Sequence, residues 1–130
     1  MPVRCTARAV AVEDLDDLNA FLIALADDAN EPQRTVELQK ALEADEDDPD
    51  SDTFCVVLDG GVTHFGGVTA CHLDKGTLVL RFDEVAARVF ETDGVEVTLE
   101  LTETERAMLR DGLRRLFDGD RLAPDALTLA

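Results

Sequence analysis

The sequence predicts a single α+β domain built on a mainly antiparallel sheet of about six or seven strands, with two helices packed on one face. Three observations carry this. Residues 62–82 and 95–101 alternate apolar and polar side chains with a period of two, the signature of half-buried strands. Asp59-Gly60-Gly61 and Asp74-Lys75-Gly76 punctuate the alternating runs as turns. Two short segments, one opening at Asp83 and one at Thr102, carry helix N-caps.

The elements follow in chain order. Val3 to Val12 places Val, Cys and Ala at odd positions with Arg4, Thr6 and Arg8 between them, which predicts one half-buried strand. For residues 13–26 two patterns compete. Leu15, Leu18, Leu22 and Leu25 fall at helical spacing, yet Ala20 to Ala26 is a continuous apolar run of strand length, and periodicity alone does not separate them. The reading adopted is an acidic connector followed by a central strand. A turn around Asp27 to Pro32 leads to Thr35 to Leu42, where Val36 and Leu38 alternate with Glu37 and Gln39 as in a strand with one wet face.

Residues 43–52 hold seven acids in ten positions. Self-repulsion and Pro49 exclude regular structure, so an exposed loop is expected. Phe54 to Leu58 is a short apolar strand. Val62 to Leu73 returns as a longer one interrupted by Gly66-Gly67, a pair that suggests a bulge or a close approach by another backbone. Thr77 to Phe82 completes an antiparallel meander. Glu84 to Phe90 is the first helix, with Val85 and Val89 on one face, and Val95 to Leu101 is the most regular strand. Thr102 and Glu105 form a capping box for a helix to about Phe117 that buries Leu109, Leu113 and Leu116. Arg110, Arg114 and Arg115 oppose its macrodipole, Gly119 ends it, and residues 118–130 are a tail.

Composition bounds function. The chain has 130 residues, 45% of them hydrophobic, and six Phe but no Trp or Tyr, so one core of Val, Leu and Ala is expected. Twenty-nine acids against twelve Lys and Arg give a net charge of −17. That argues against nucleic acid and anionic membranes, both of which need a basic surface, and favours a basic protein partner. A general surface adaptation to a salt-rich cytoplasm accounts for the same charge. Self-association stays open. With no signal-peptide pattern at the N-terminus and no apolar run of ~18–20 residues, the protein is expected to be cytoplasmic.

Catalytic and metal chemistry finds little support. Ser51 is the only serine and lies in the acidic run, and neither a P-loop nor a GxGxxG is present. Cys5, Cys55 and Cys71 are odd in number and in no CxxC pair, which predicts buried reduced thiols. Without a bulge between them, His64 and His72 share a strand face by numbering, with Cys71 opposite, and they lack metal-ligand spacing. A two-residue Gly60-Gly61 turn would set Val57, not Cys55, across from His64, which argues against a Cys–His pair. Asp48, Asp50, Asp52 and Asp59 imitate calcium-loop spacing, but Thr53 stands where the sharp turn needs Gly. No cofactor is implied. The candidate partner-binding residues are Asp45, Glu46, Asp47, Asp48, Asp50 and Asp52, by density of charge alone.

The run Thr53-Phe54-Cys55-Val56, then Asp59-Gly60-Gly61, then His64-Phe65-Gly66-Gly67-Val68 resembles the central motif of the immunity protein 10 family: an aromatic strand, a DxG turn and a (Tyr/Phe)-Gly-Gly-(Val/Ile) segment. Leu78-Val79-Leu80-Arg81-Phe82 and the final helix ending Leu113-Arg114-Arg115-Leu116-Phe117 extend the likeness over about residues 35–117. The chain is more acidic than the family pattern and lacks its Trp and Tyr. The resemblance implies a non-enzymatic cytoplasmic protein of a bacterial polymorphic-toxin system that binds and neutralises a cognate toxin. It transfers no toxin-binding residues, and it marks Phe65, Gly66 and Gly67 as a structural motif. Two other classes remain: a regulatory or scaffold module for some other basic protein, and a small enzyme whose site the sequence does not reveal.

Overall fold

The computed structural model describes residues 2–18, 20–28, 30–31, 33–41, 54–59, 61–74, 76–117 and 127–129. The α+β class holds, but among the described residues the strands number ten, in two five-stranded sheets. In chain order they are β1 (Val3–Ala7), β2 (Ala9–Leu15), β3 (Ala20–Ala26), β4 (Thr35–Ala41), β5 (Phe54–Leu58), β6 (Val62–Phe65), β7 (Val68–Leu73), β8 (Thr77–Phe82), β9 (Gly94–Leu99) and β10 (Leu127–Leu129). Helix α1 (Glu84–Phe90) lies between β8 and β9, and α2 (Glu103–Leu116) between β9 and β10. Sheet A has the order β1-β9-β8-β7-β10 and sheet B is the meander β2-β3-β4-β5-β6. Sheet B is antiparallel throughout. Sheet A has parallel pairs at both edges, β1 with β9 and β10 with β7.

The chain crosses between sheets at two corners, and both correct the linear reading. Val3–Val12 is not one strand. Arg8 breaks it, and the parity of buried positions flips there: Cys5 and Ala7 face inward from β1, Val10 and Val12 from β2. Ala7 O accepts from Glu100 N on the sheet A side, while Arg8 N donates to Ala26 O of β3. Val62–Leu73 is likewise two strands in different sheets, so the expected meander through residues 54–82 is cut in the middle. Gly66 and Gly67 make the cut, with φ of 71° and 86°. Gly66 N donates to Phe54 O of sheet B, and Gly67 O accepts from Asp83 N at the head of α1. A Cβ on Gly67 would lie 2.6 Å from Ala86 Cβ and 2.8 Å from His64 Cδ2. The close approach is therefore by side chains. The bulge sits next door, where the β7–β8 register shifts between Val68 and Ala70.

Residues 13–26 resolve as strand. β2 runs on through Glu13–Leu15, a 3-10 turn covers Asp16–Leu18, and β3 lies in the sheet interior with every odd position buried. The hairpin after β5 also differs from expectation. Its loop spans three residues, with Leu58 opposite Val62 and Val56 opposite His64. Asp59 takes the positive φ there, 54°.

One apolar core fills the space between the sheets. Ile23, Leu38 and Val56 of sheet B and Leu78, Leu80, Val95 and Val97 of sheet A are fully buried in it. Leu109, Leu113 and Leu116 of α2 join them, and the capping box forms as expected, Glu105 N to Thr102 Oγ1 at 3.1 Å and Thr102 N to Glu105 Oε1 at 3.0 Å. Gly112 lets α2 lie close on sheet B, since a Cβ there would sit 3.1 Å from Val12 and 3.2 Å from Ile23. Helix α1 is capped by Asp83, whose Oδ1 accepts from Ala86 N at 2.8 Å. Its buried face is Ala86 and Phe90. The Val85 and Val89 face, expected from the same i,i+4 spacing, points to solvent. Phe90 stacks on Phe82 at 4.9 Å, and Phe117 meets Phe54 edge-on at 5.0 Å.

Leu99→Ala and Leu113→Ala should each lower stability by roughly 2–4 kcal/mol in denaturant melts, as for other buried leucines, and a loss below about 1 kcal/mol would mean these positions are not core. Gly67→Ala should cost at least about 2 kcal/mol, because the left-handed backbone and the contacts with Ala86 and His64 both penalise a Cβ. An unchanged melting midpoint for that variant would refute the corner's role.

Candidate binding surface

The acids Asp45, Glu46, Asp47, Asp48, Asp50 and Asp52 lie outside the described residues. Their anchor points are described. β4 ends at Ala41, which pairs with Ala20, and β5 begins at Phe54, opposite Lys40. The antiparallel order makes this the same end of sheet B from which the β2–β3 turn leaves, since Leu15 also pairs with Ala20. Asp14 near the end of β2 and Asp16 and Asp17 of the turn line, with Leu15, an open concavity of about 530 Å³. Sequence reading passed over this cluster as a connector. The signal that could have found it is strand order, which brings its position next to the acidic run.

Few cations offset the charge at this end. Arg115 Nη1 reaches Asp14 Oδ1 at 2.9 Å, and the same guanidinium lies 4.2 Å from the centre of the Phe21 ring. Lys40 Nζ donates to Arg115 O at 2.6 Å, closing the C-terminal end of α2 onto β4. Both partners of the Asp14 pair are about half exposed, so its contribution to stability is small.

Phe65, Gly66 and Gly67 come together at the corner from β6 to β7, and Phe65 itself is 59% exposed. His64 and His72 do not share a face, contrary to their numbering, because the corner separates them. His64 turns inward on β6, its ring edge-on to Phe90 at 6.2 Å, and His72 sits on β7 in the other sheet. Among the described residues no three His, Cys, Asp or Glu side chains converge as a metal site.

The thiols divide. Cys71 is fully buried, and burial pushes its pKa up to about 12. Cys5 and Cys55 are only half-buried, against the expectation of core thiols. Burial raises Cys5, with Arg34 pulling the other way and Asp59 and Asp27 adding to it. Burial raises Cys55 as well, and neighbouring Glu37 adds to the shift. Cys5 borders a crevice between the sheets of about 10 Å³, room for one water, below the Arg34–Asp59 ion pair. Cys55 lies on the other surface of sheet B, across from Phe65.

The chain is a small acidic domain of two sheets around one core, with Asp14, Asp16 and Asp17 at one end of sheet B. The family model described as immunity protein 10 matches residues 6–107, and the chain belongs to that family. The match begins well before residue 35, taking in β2 and β3. Membership of an immunity-protein family implies a protein partner. Comparison with curated proteins and with solved structures gave no match. Among the described residues no helix is long and apolar enough to cross a membrane.

Iodoacetamide labelling of the native protein near pH 8 should leave Cys71 unmodified until the fold opens, while Cys5 and Cys55 react more slowly than an unperturbed thiol. Mass spectrometry of labelled peptides checks the order, and early labelling of Cys71 would contradict its burial.

Proposed function

We propose that this protein neutralises a cognate toxin domain by binding it in the cytoplasm, without catalysis, and that the toxin domain is basic. Membership of the immunity protein 10 family carries the reading. The net charge of −17 and the gathering of Asp14, Asp16 and Asp17 beside the anchor points of the 43–52 run support the basic character of the partner. Toxin domains that act on nucleic acids present basic clefts for phosphates, and an acidic inhibitor is drawn to such a cleft by the same field.

The six acids at 45, 46, 47, 48, 50 and 52 act mainly on encounter. Charges that stay near water are screened by salt over about a Debye length, ~10 Å at 0.1 M, so they raise the association rate more than the lifetime. Replacing them with Asn and Gln should slow association at low ionic strength by about tenfold or more and leave dissociation nearly unchanged. Stopped-flow binding, across a salt series, to the inactivated toxin domain recovered with this protein in a pull-down from its host measures this. Wild-type association rates in the variant at low salt would remove the loop from the mechanism. No binding by the wild-type protein, together with no rescue of cells expressing the toxin domain, would defeat the proposal.

A further inference from the structure

The two sheets differ on their outward surfaces. Sheet A shows what a solvated face of this protein looks like: Arg4, Thr6, Arg81, Glu96 and Thr98 point outward, and Arg4 pairs with Glu96 at 3.0 Å. Sheet B does not follow it. Directly paired residues share a face, so the register sets Ala11, Leu22, Ala24, Cys55, Val57 and Phe65 outward, opposite the core, with Glu37 and Gln39 of the central strand β4 between them. β3 is apolar at every position, inward and outward, as in strands covered on both faces. Its inward residues are buried, but Leu22 and Ala24 are only half-buried. Neither helix packs there. Gly112 and Arg115 place α2 on the inward side against Val12, Ile23 and Phe21, and Ala86 and Phe90 of α1 meet the inward His64 at β6.

We propose that the outward face of β2–β6 is the surface on which the toxin domain docks, with Phe65 as its exposed aromatic anchor. This rests on the toxin-binding reading above and adds where the contact is made. The chemistry of the face selects a basic protein. The outward positions of these five strands hold Glu13 and Glu37 but neither Lys nor Arg, and Asp16 and Asp17 of the β2–β3 turn border one end. A second copy of this chain would bring another charge of −17 against the first and set Glu37 near its own mate. A partner that sets cations against Glu13 and Glu37 and apolar side chains against β3 and Phe65 is complementary instead. At ~4.8 Å between strands and ~3.3 Å per residue the face measures roughly 20 by 20 Å. It supplies the central part of an interface whose standard size is ~800 Å² per partner, with the acidic end contributing rim.

The test uses the full chain and, as probe, the purified, inactivated form of the toxin domain recovered with it in a pull-down from its host. Phe65→Ala and Ala24→Lys alter exposed or half-exposed outward positions, and Thr98→Lys alters the outward face of sheet A as a control. Phe65→Ala and Ala24→Lys should each speed dissociation about tenfold or more, and Thr98→Lys should leave it near wild type, with all three melting cooperatively. A second measurement needs no substitution. Bound toxin domain should slow alkylation of Cys55, which lies on this face, and leave that of Cys5, in the crevice between the sheets, unchanged. If the wild type binds while dissociation of both variants and alkylation of Cys55 stay unaltered, the surface is wrong and the toxin-binding reading survives. Failure of the wild type to bind at any salt overturns both. A wild-type dimer in light scattering that Ala24→Lys dissolves would assign the face to a second copy and overturn the proposal.

Discussion

The Gly66–Gly67 corner is the constraint on which the architecture depends. Two consecutive residues with positive φ lift the chain out of sheet B and set it down in sheet A, and only glycine adopts that pair of conformations without strain. The corner also fixes what surrounds it. Gly67 O accepts the amide of Asp83, the residue that caps α1, so the helix is held against the end of β6 by the same residue that turns the chain. The lack of a Cβ at Gly67 then lets Ala86 and His64 close over it. With the corner in place β5 and β6 close sheet B, β7 and β8 belong to sheet A, and β9 can add beside β8.

Ion pairs contribute little to holding this protein together. The pairs Arg4–Glu96, Arg8–Glu100, Arg34–Asp59 and Arg88–Glu84 all sit at the surface, with one partner of each more than half exposed. Pairs of this kind are worth about 0–1 kcal/mol each. The core must therefore stabilise the fold against the self-repulsion of a chain at −17. Acidity on this scale is unfavourable to compactness, so stability does not account for it.

Local chemistry was legible in the sequence and long-range pairing was not. The capping box at Thr102 and Glu105, the cap at Asp83 and the inward stripe of β9 all follow from side chains within a few residues of one another, and all are present. Arg8 carries no glycine or proline to announce a break, and only the parity flip between Ala7 and Val10 records the change of sheet. The parallel pairing of β1 with β9 joins segments some ninety residues apart, which no local pattern encodes. α1 misled for a different reason. Val85/Val89 and Ala86/Phe90 are both i,i+4 apolar pairs, and the choice between them is made by Gly67, His64 and Phe82 from elsewhere in the chain. For the binding surface, charge density marked the 43–52 run, but the apolar outward face of sheet B became visible only with the register.

The division of labour proposed here gives the charged end the encounter and the apolar face of sheet B the lifetime of the complex. Methyl NMR of the protein titrated with inactivated toxin domain tests it most directly. The account predicts that the methyl signals of Leu22, Ala24 and Val57 shift or broaden on binding, while Val79 on the outward face of sheet A keeps its free position. Perturbation centred on sheet A, with Leu22, Ala24 and Val57 unmoved, would contradict it.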